Sequence, residues 1–564
     1  MDNTHKNILS FHIGHDSAVA YYLDGKYHNL QIEKVNNKRY SRLMQNKNYN
    51  IRGKQAGILE HLEDIIQYND FDEILIPPMT FFQVDVQHPL YKGVVKSLLT
   101  RFSNSNTKQV RACSHHHSHA ALGFYSSPFD KALVITVDGG GDNEYFTVSL
   151  ADRDNGITQL ASYQVNLGSM YAVGCSMCSE IGGESYISYP GKGMGLVARG
   201  KNILPKLYTW FKKVYQNNMN EHPSLLYDRE HKNKNGRFAD HMRNNPTFVR
   251  FMEPMMRELK SEPDGPLRLT RGQLSYDVML TTQKVFEDLF DAFTKEFIDE
   301  YDDLPVVLSG GCALNVINNE RVKNMIAPRE LFIPSAPDDS GLAIGYVIDR
   351  VRPKEKIETH NICPSVYDLN TIEDLKSTRE WSKVNNKQIC KLLAQGKIVG
   401  FMRGPSESGP RALGFRSILC DPSYPDMKDT LNDKVKHREW FRPFAPACKK
   451  EHADKYFDSS HFEHMEFMSF AVKVKEDAKD KIPAVVHVDG SARLQTVTQE
   501  SNPYFYDLLT AYEKHTGKHV LLNTSLNSWG NPISNTVEDS IKILERTDMD
   551  YLVIDDILFS QNKS

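Results

Sequence analysis

The densest concentration of metal-binding side chains in this 564-residue sequence is CSHHHSHAALGFY at 113–125. On a helix, His115 and His119 stand four residues apart on one face, the spacing at which two imidazoles share a metal; His116 and His117 point elsewhere. The turns VDGGGD and APDDSG offer Asp138 and Asp339 as the missing carboxylates. A His/His/Asp/Asp set suits a hard-to-borderline divalent ion, iron(II) first with zinc or manganese as alternatives, and leaves positions open for phosphate oxygens. His15, in the early turn GHDSA, has a side chain that titrates near working pH and is a candidate to take a proton from a hydroxyl, with Asp16 to orient it or touch substrate.

A second constellation lies near the other end of the chain. Basic residues recur in GPRALGFRSIL (Arg411, Arg416), KVKHREWFRPFAP (Lys434, Lys436, Arg438, Arg442) and HVDGSARLQTV (Arg493), with Asn523, Thr524 and Ser525 in LLNTSLN. Guanidinium forks and an ammonium converging with amide and hydroxyl donors make a pocket for a small, doubly charged phosphate compound. Salt bridges closing loops would account for one such motif; they account poorly for four.

Positioning these groups requires strands that end in small-residue turns. Residues 8–22 read as strand, Gly-His-Asp-Ser turn, strand, and residues 132–150 repeat that scheme with a glycine-rich turn. A third strand at 305–309 breaks at Ser309-Gly310-Gly311 into a helical start, a geometry that suits a phosphate. The stretches 189–200 and 336–346 have the same character. A duplicated domain holding a nucleotide between its halves is the expectation. Residues 351–380 are polar and form the boundary, after which NNKQICKLLAQGK predicts a helix and IVGFM a strand that open a second α/β domain.

The 68 basic and 72 acidic residues leave a net charge of only −4, so overall electrostatics favour neither a polyanion nor a membrane surface. With 40 % hydrophobic and 25 % charged residues the chain is long enough for two large domains, and wholesale disorder is excluded. No leader or membrane span is evident, and a cytoplasmic location is expected. Eight scattered cysteines suit reduced thiols; Cys175 and Cys178 have CxxC spacing but no matching second pair. Residues 199–260 form a basic island, 13 Lys/Arg against 6 Asp/Glu with Trp210, Phe211, Tyr215 and Phe248 interspersed. It reads either as a solvated helical insertion or as a surface for an anionic acceptor.

In HHHSHA, TVDGGGD, LSGGCALN, DDSGLAIG, ESGPRALGFRSIL, NDKVKHREWFRPFAP, HVDGSARLQTV and LLNTSLNSWGNPI, in that order, the chain resembles the O-carbamoyltransferase family of nodulation-factor, cephalosporin and aminoglycoside carbamoyltransferases. The resemblance implies an α/β protein with an N-terminal duplicated actin-like ATPase (ribonuclease H-like) domain over 1–352, with the basic insertion at 199–260. A linker at 353–380 and a C-terminal YrdC-like α/β domain over 381–564 follow. It implies that carbamoyl phosphate and ATP, with Mg2+, form carbamoyladenylate in the C-terminal domain, releasing phosphate and pyrophosphate. A hydroxyl in the N-terminal domain then attacks the carbonyl and AMP leaves.

The roles it implies are metal ligation by His115, His119, Asp138 and Asp339, and base catalysis by His15 with Asp16 beside it. Arg411, Lys436, Arg493, Asn523 and Ser525 would hold carbamoyl phosphate and the adenylate, and Gly310, Gly311 and Asn315, with Lys192 and Gly195, the nucleotide. The pattern departs from the family near position 40, where Met44 replaces an expected lysine and Lys38 or Arg42 is a substitute, and at GMGLVARG. The acceptor is expected to be a nucleotide or hydroxymethylated nucleic-acid base in DNA. A sugar or antibiotic-like small molecule, synthesis of threonylcarbamoyladenosine in tRNA, and a non-enzymatic nucleotide-binding scaffold are the rivals. No membrane partner is expected, and a homodimer is left open.

Overall fold

A computed structural model describes residues 7–39, 71–77, 109–142, 144–182, 186–217, 253–259, 262–264, 267–364, 369–528 and 530–561. The chain is mixed α/β, with two five-stranded sheets followed by one of eight strands. The first sheet contains β1 (Ile8–His12), β2 (Ala18–Leu23), β3 (Lys26–Gln31), β4 (Glu73–Ile76) and β5 (Gln109–Ala112). The second contains β6 (Lys131–Gly141), β7 (Glu144–Asp152) and β8 (Gly156–Tyr163). After the small ribbon β9 (Glu262–Asp264) and β10 (Leu267–Leu269) it is completed by β11 (Val306–Ser309) and β12 (Leu331–Phe332).

The two sheets have one plan. In order β3-β2-β1-β4-β5 and β8-β7-β6-β11-β12, each is a three-strand antiparallel meander whose first strand pairs in parallel with a later strand, which in turn pairs in parallel with the last. The interior strands ILSFH and VVLS are buried along their whole length, which requires cover on both faces. Part of that cover is a pair of crossed helices. His115–Ser126 packs on the second sheet and Leu342–Val351 on the first, and the two pack on each other. Their contact is close because Gly345 has no side chain: a Cβ there would lie 2.6 Å from the Ser118 carbonyl oxygen. Each half thus contributes its end-of-sheet helix to the layer between the sheets, and both helices carry site residues.

The eight-stranded sheet comprises β13 (Trp381–Lys383), β14 (Val399–Met402), β15 (Arg416–Cys420), β16 (Ala445–Lys449), β19 (Gln495–Val497), β20 (Val520–Ser525), β21 (Tyr551–Ile554) and β22 (Ile557–Ser560). Its order is β13-β22-β21-β14-β15-β20-β16-β19, with the ribbon β17 (Ala471–Lys473) and β18 (Ser491–Arg493) alongside. The helix foreseen after residue 385 is Asn386–Ala394, started by a reciprocal capping box between Asn385 and Gln388. It packs against the helix Pro503–Thr516, whose end at Gly517 takes a left-handed conformation (φ 71°).

The polar boundary segment is fastened at both sides. The Ile362 carbonyl accepts from Asn29 N at 3.1 Å, while Ser408 N donates to His360 O at 2.8 Å and Ser406 N to Cys363 O at 3.0 Å. A helix, Leu369–Thr378, also lies in it. Buried Lys34 places its ammonium on the Glu407 carbonyl, again joining the first sheet's layer to the C-terminal region.

Candidate functional site

Helix His115–Ser126 begins at Ser114, whose side chain accepts from His117 N, and so projects His115 and His119 from successive turns. Asp138 lies where β6 leaves its regular register with β7, and Asp339 opens a short 3-10 turn before helix Leu342–Val351. These four buried residues place one donor atom each within 4.8 Å of the others. The His115 and His119 Nε2 atoms are 3.2 Å apart, each 3.4 Å from Asp339 Oδ1 and 3.8 Å from an oxygen of Asp138. The neighbouring glycines are part of the construction. A Cβ on Gly141 would stand 2.2 Å from His115 Cγ, and Gly311 N donates to Asp138 Oδ2 at 2.6 Å.

Two imidazole nitrogens this close cannot both turn N–H groups toward one another, and two carboxylates face the same point; one shared divalent cation satisfies all four donors. Without it, protons do that work. Burial opposes charge on His115, but Asp339 and Asp138 outweigh it and raise the imidazole to about 10. Asp138 is held down to about 2 and Asp339 well below its ordinary value, burial being overcome by the facing histidines. His116 is buried and pushed down to about 3, chiefly by desolvation, and His117 turns outward to Asp349 at 3.0 Å.

His15 borders this cluster. Its Nδ1 is 2.9 Å from Asp16 Oδ2 and its Nε2 is 3.4 Å from Asp339 Oδ2. Burial lowers its pKa, but Asp339 and Asp16 together raise it to about 9. Asp16 reaches this pose with a left-handed backbone (φ 56°), tolerated by a short polar side chain. His12 was not singled out in the sequence. Its Nδ1 is 3.2 Å from the Tyr346 hydroxyl and its Nε2 is 3.7 Å from Asp339 Oδ2. A second histidine three residues ahead of His15, in FHIGH, is the signal that could have found it.

The cationic motifs also come together. Arg411, Lys436, Arg438 and Arg493 each have their pKa pulled down, first by burial and then by neighbouring cations, with Arg442 acting on all four. Arg411 falls to about 10. Glu407, also not singled out, shapes the ESGPRALGFR loop: its Oε1 accepts from the amides of Leu413, Phe415 and Arg416 at 2.9 to 3.0 Å. Lys436 Nζ is held by Ser525 O at 2.7 Å, Ser525 Oγ at 3.2 Å and Asn527 O at 2.9 Å. Asn523 donates to Ala412 O and Gln495 Oε1, leaving its buried Oδ1 without a hydrogen-bond partner, as is Arg493 Nε. Arg416 is fully buried and bonds backbone carbonyls. Arg39, from the first sheet's side, is near enough to act on both Arg411 and Lys436. Lys38 is exposed, and Arg42 and Met44 lie outside the described residues.

Arg411 connects the two regions. It feels the carboxyl of Asp338, next to Asp339, and shares with Ala313, Leu314, Pro337 and Phe467 the lining of a small cleft beside the Gly311–Leu314 turn. Gly310 takes φ 84° where a Cβ would meet the Val137 carbonyl oxygen at 2.3 Å. Asn315 caps helix Val316–Ile326 through Oδ1 and gives its Nδ2 to Gln283. Lys192, in helix Tyr189–Val197, pairs with Glu439 Oε1 at 2.5 Å, and Gly195 in the same helix lies against Phe441.

Cys175 and Cys178 are buried, with Cys178 Sγ turned to the carbonyls of Gly174 and Ser275. In the described part of the basic island, helix Pro205–Asn217 buries Leu207, Phe211 and Tyr215 against the long helix Gln273–Glu300 and pairs Lys206 with Glu258. Residues 218–252 lie outside the described residues.

Comparison with known proteins matches residues 79–348 to the family described as Carbamoyltransferase N-terminus and residues 390–561 to Carbamoyltransferase C-terminus. The chain is 31 % identical to nodulation protein NolO of Bradyrhizobium diazoefficiens over 78 % of its length and 77 % of that protein. It is 27 % identical to nodulation protein U of Rhizobium fredii over 94 % of its length and 91 % of that protein. Among solved structures, full-length HypF in a phosphate- and nucleotide-bound form aligns with 62 % of this chain and 55 % of its own, at 14 % identity and a TM-score of 0.33.

Proposed function

The chain belongs to the carbamoyltransferase family, and from that premise we propose that it is an ATP-dependent O-carbamoyltransferase whose two half-reactions occupy its two charged sites. The observation that carries this reading is the pairing of a four-donor ligand set beside His15 with a separate crowd of half-buried cations, linked by Arg411. On this reading the duplicated sheets form an actin-like domain and the C-terminal sheet a YrdC-like one, the shared strand plan of the first two sheets being the support.

In the C-terminal pocket, Arg411, Lys436 and Arg493 would bind carbamoyl phosphate and the ATP phosphates. Cations already crowding one another are relieved when anions arrive, and that relief is the binding energy for bringing two anions together. Water splits carbamoyl phosphate into carbamate and phosphate; a carbamate oxygen then attacks the α-phosphorus of ATP, a C–O–P linkage forms and the bond to pyrophosphate breaks. In the N-terminal site, an acceptor hydroxyl attacks the carbamoyl carbon, its proton passes to His15 Nε2, and the bond to AMP breaks.

His115, His119, Asp138 and Asp339 would hold the divalent ion, iron(II) first and zinc or manganese as alternatives. Such an ion would neutralise phosphate oxygens and stabilise AMP as leaving group. Asp339 faces both His15 and the ligand set, so a cation held there would draw on its charge, lower the proton affinity of His15 and favour its basic form. Asp16 holds the ring from Nδ1 throughout.

The acceptor is a hydroxyl compound. A nucleotide or hydroxymethylated base is favoured by the basic composition of residues 199–260, against a sugar or antibiotic. Incubation with carbamoyl phosphate, ATP and each divalent metal should release AMP, pyrophosphate and phosphate. Mass spectrometry of candidate acceptors should then show a gain of about 43 Da, the mass of a carbamoyl group replacing hydrogen. Label arriving from threonine and bicarbonate would favour threonylcarbamoyladenosine synthesis instead.

A further inference from the structure

Three metal-binding side chains from three elements meet beside the eight-stranded sheet. His452 lies in the 3-10 segment Lys450–Lys455 after β16, Glu513 in the last turn of helix Pro503–Thr516, and His519 immediately before β20. His452 Nε2 is 3.0 Å from Glu513 Oε2, and His519 Nε2 is 3.3 Å from Glu513 Oε1. One donor from each lies within 4.8 Å of the other two. Zinc bonds of about 2.0–2.1 Å at a tetrahedral angle set donors roughly 3.3 Å apart. The observed separations need only small adjustments.

Two features besides distance favour a ligand. The His519 Nδ1 atom is 3.0 Å from the Tyr456 hydroxyl, the outer contact that fixes a ligating imidazole with Nε2 toward the metal. The rings of His452 and His519 stand edge-on with centroids 4.3 Å apart, so both Nε2 atoms can address one point. The side chains of His452, His519 and Glu513 are 12, 18 and 31 % exposed, leaving a fourth position open to water.

We propose that His452, Glu513 and His519 form a peripheral zinc site that ties the helix Pro503–Thr516 to the strands β16 and β20. It would be independent of catalysis. Ser525 lies six residues beyond His519, about 20 Å away at roughly 3.3 Å per strand residue. The resident competitor is Lys449, whose ammonium is 2.7 Å from Glu513 Oε2 and 3.6 Å from Glu451 Oε1. It can remain with Glu451 while Glu513 turns Oε1 to the ion. Lys455, exposed and 3.5 Å from His519 Nε2, has solvent to move into.

The test strips the full-length protein with chelator and titrates it with zinc alone, counting bound equivalents by calorimetry and metal analysis. His452→Ala/His519→Ala should bind one equivalent fewer per chain than wild type, with carbamoyl transfer retained. Lys449→Met should tighten that same equivalent by about tenfold, since a competing charge is removed. If the double variant does not fold, Glu513→Gln serves instead and should weaken the equivalent at least tenfold. An unchanged number and affinity of zinc equivalents in these variants would overturn the proposal and leave an internal His–Glu–Lys ion-pair network.

Discussion

The ligand cluster around Asp339 and the cationic pocket around Arg493 solve opposite electrostatic problems. In the first, histidines and carboxylates alternate, and each acid is held ionised by the imidazoles facing it. In the second, five basic side chains press on one another, and burial makes the crowding worse. A cluster compensated from within loses its internal pairing when a cation enters, so it selects for a cation that bonds all four donors. A pocket of like charges gains from any anion of the right shape. On the proposed reading, the first arrangement suits a metal and the second suits phosphates.

The comparison breaks most completely at Asp339, which alone among the described residues faces His12, His15, His115 and His119. Asp339→Asn should lower carbamoyl transfer by at least about 10³-fold and remove the bound metal, measured by product formation and metal analysis. Arg493→Ala should cost about 10²–10³-fold in pyrophosphate release while leaving transfer from supplied carbamoyladenylate largely intact. Equal damage to both steps would mean that the two regions are one functional site.

A smaller effect is expected where the regions touch. The Lys192–Glu439 pair joins helix Tyr189–Val197 to the HREWFRPF loop, and its side chains are 15 and 23 % exposed. Glu439→Gln should lower stability by about 1 kcal/mol in urea unfolding, with Lys192→Glu/Glu439→Lys restoring most of it. Failure of the exchange would show that Lys192 serves a ligand rather than the pair.

At neutral pH the effect that vanishes is a pH slope. His487 is lowered to about 4, chiefly by burial, with Asp489 opposing and Arg493 and Lys428 adding to it. Between its ordinary 6.5 and 4, the unfolded chain takes up a proton that the folded chain refuses. Its contribution to stability is therefore complete above pH 6.5 and declines as pH falls toward 4. His487→Gln should flatten the urea midpoint over that range.

How much of this was readable in sequence depends on the range of the interaction. The His115/His119 pair follows from helical period, and the strand-turn-strand stretches at 8–22 and 132–150 form the antiparallel pairs β1/β2 and β6/β7. Asp138 and Asp339 stood out as acids in small-residue turns, and the turns do bring them together. Three-dimensional partners were not legible. Glu407 looks like any acid in a loop until three amides converge on it, and Glu439 until Lys192 arrives from 247 residues away. Gly311 and Asn315, expected beside a nucleotide, also have structural duties that the pattern does not record: the amide of one holds Asp138 and the side chain of the other caps a helix. Such assignments depend on which polar groups the fold leaves over, and a linear pattern does not record that.

The most direct test follows both half-reactions in His115→Ala/His119→Ala. With ATP and carbamoyl phosphate supplied, pyrophosphate release should persist near the wild-type rate while carbamoyl transfer to an acceptor hydroxyl disappears. Transfer retained in that variant, or pyrophosphate release lost together with it, would contradict a division of labour between a metal-held transfer site and a cationic activation pocket.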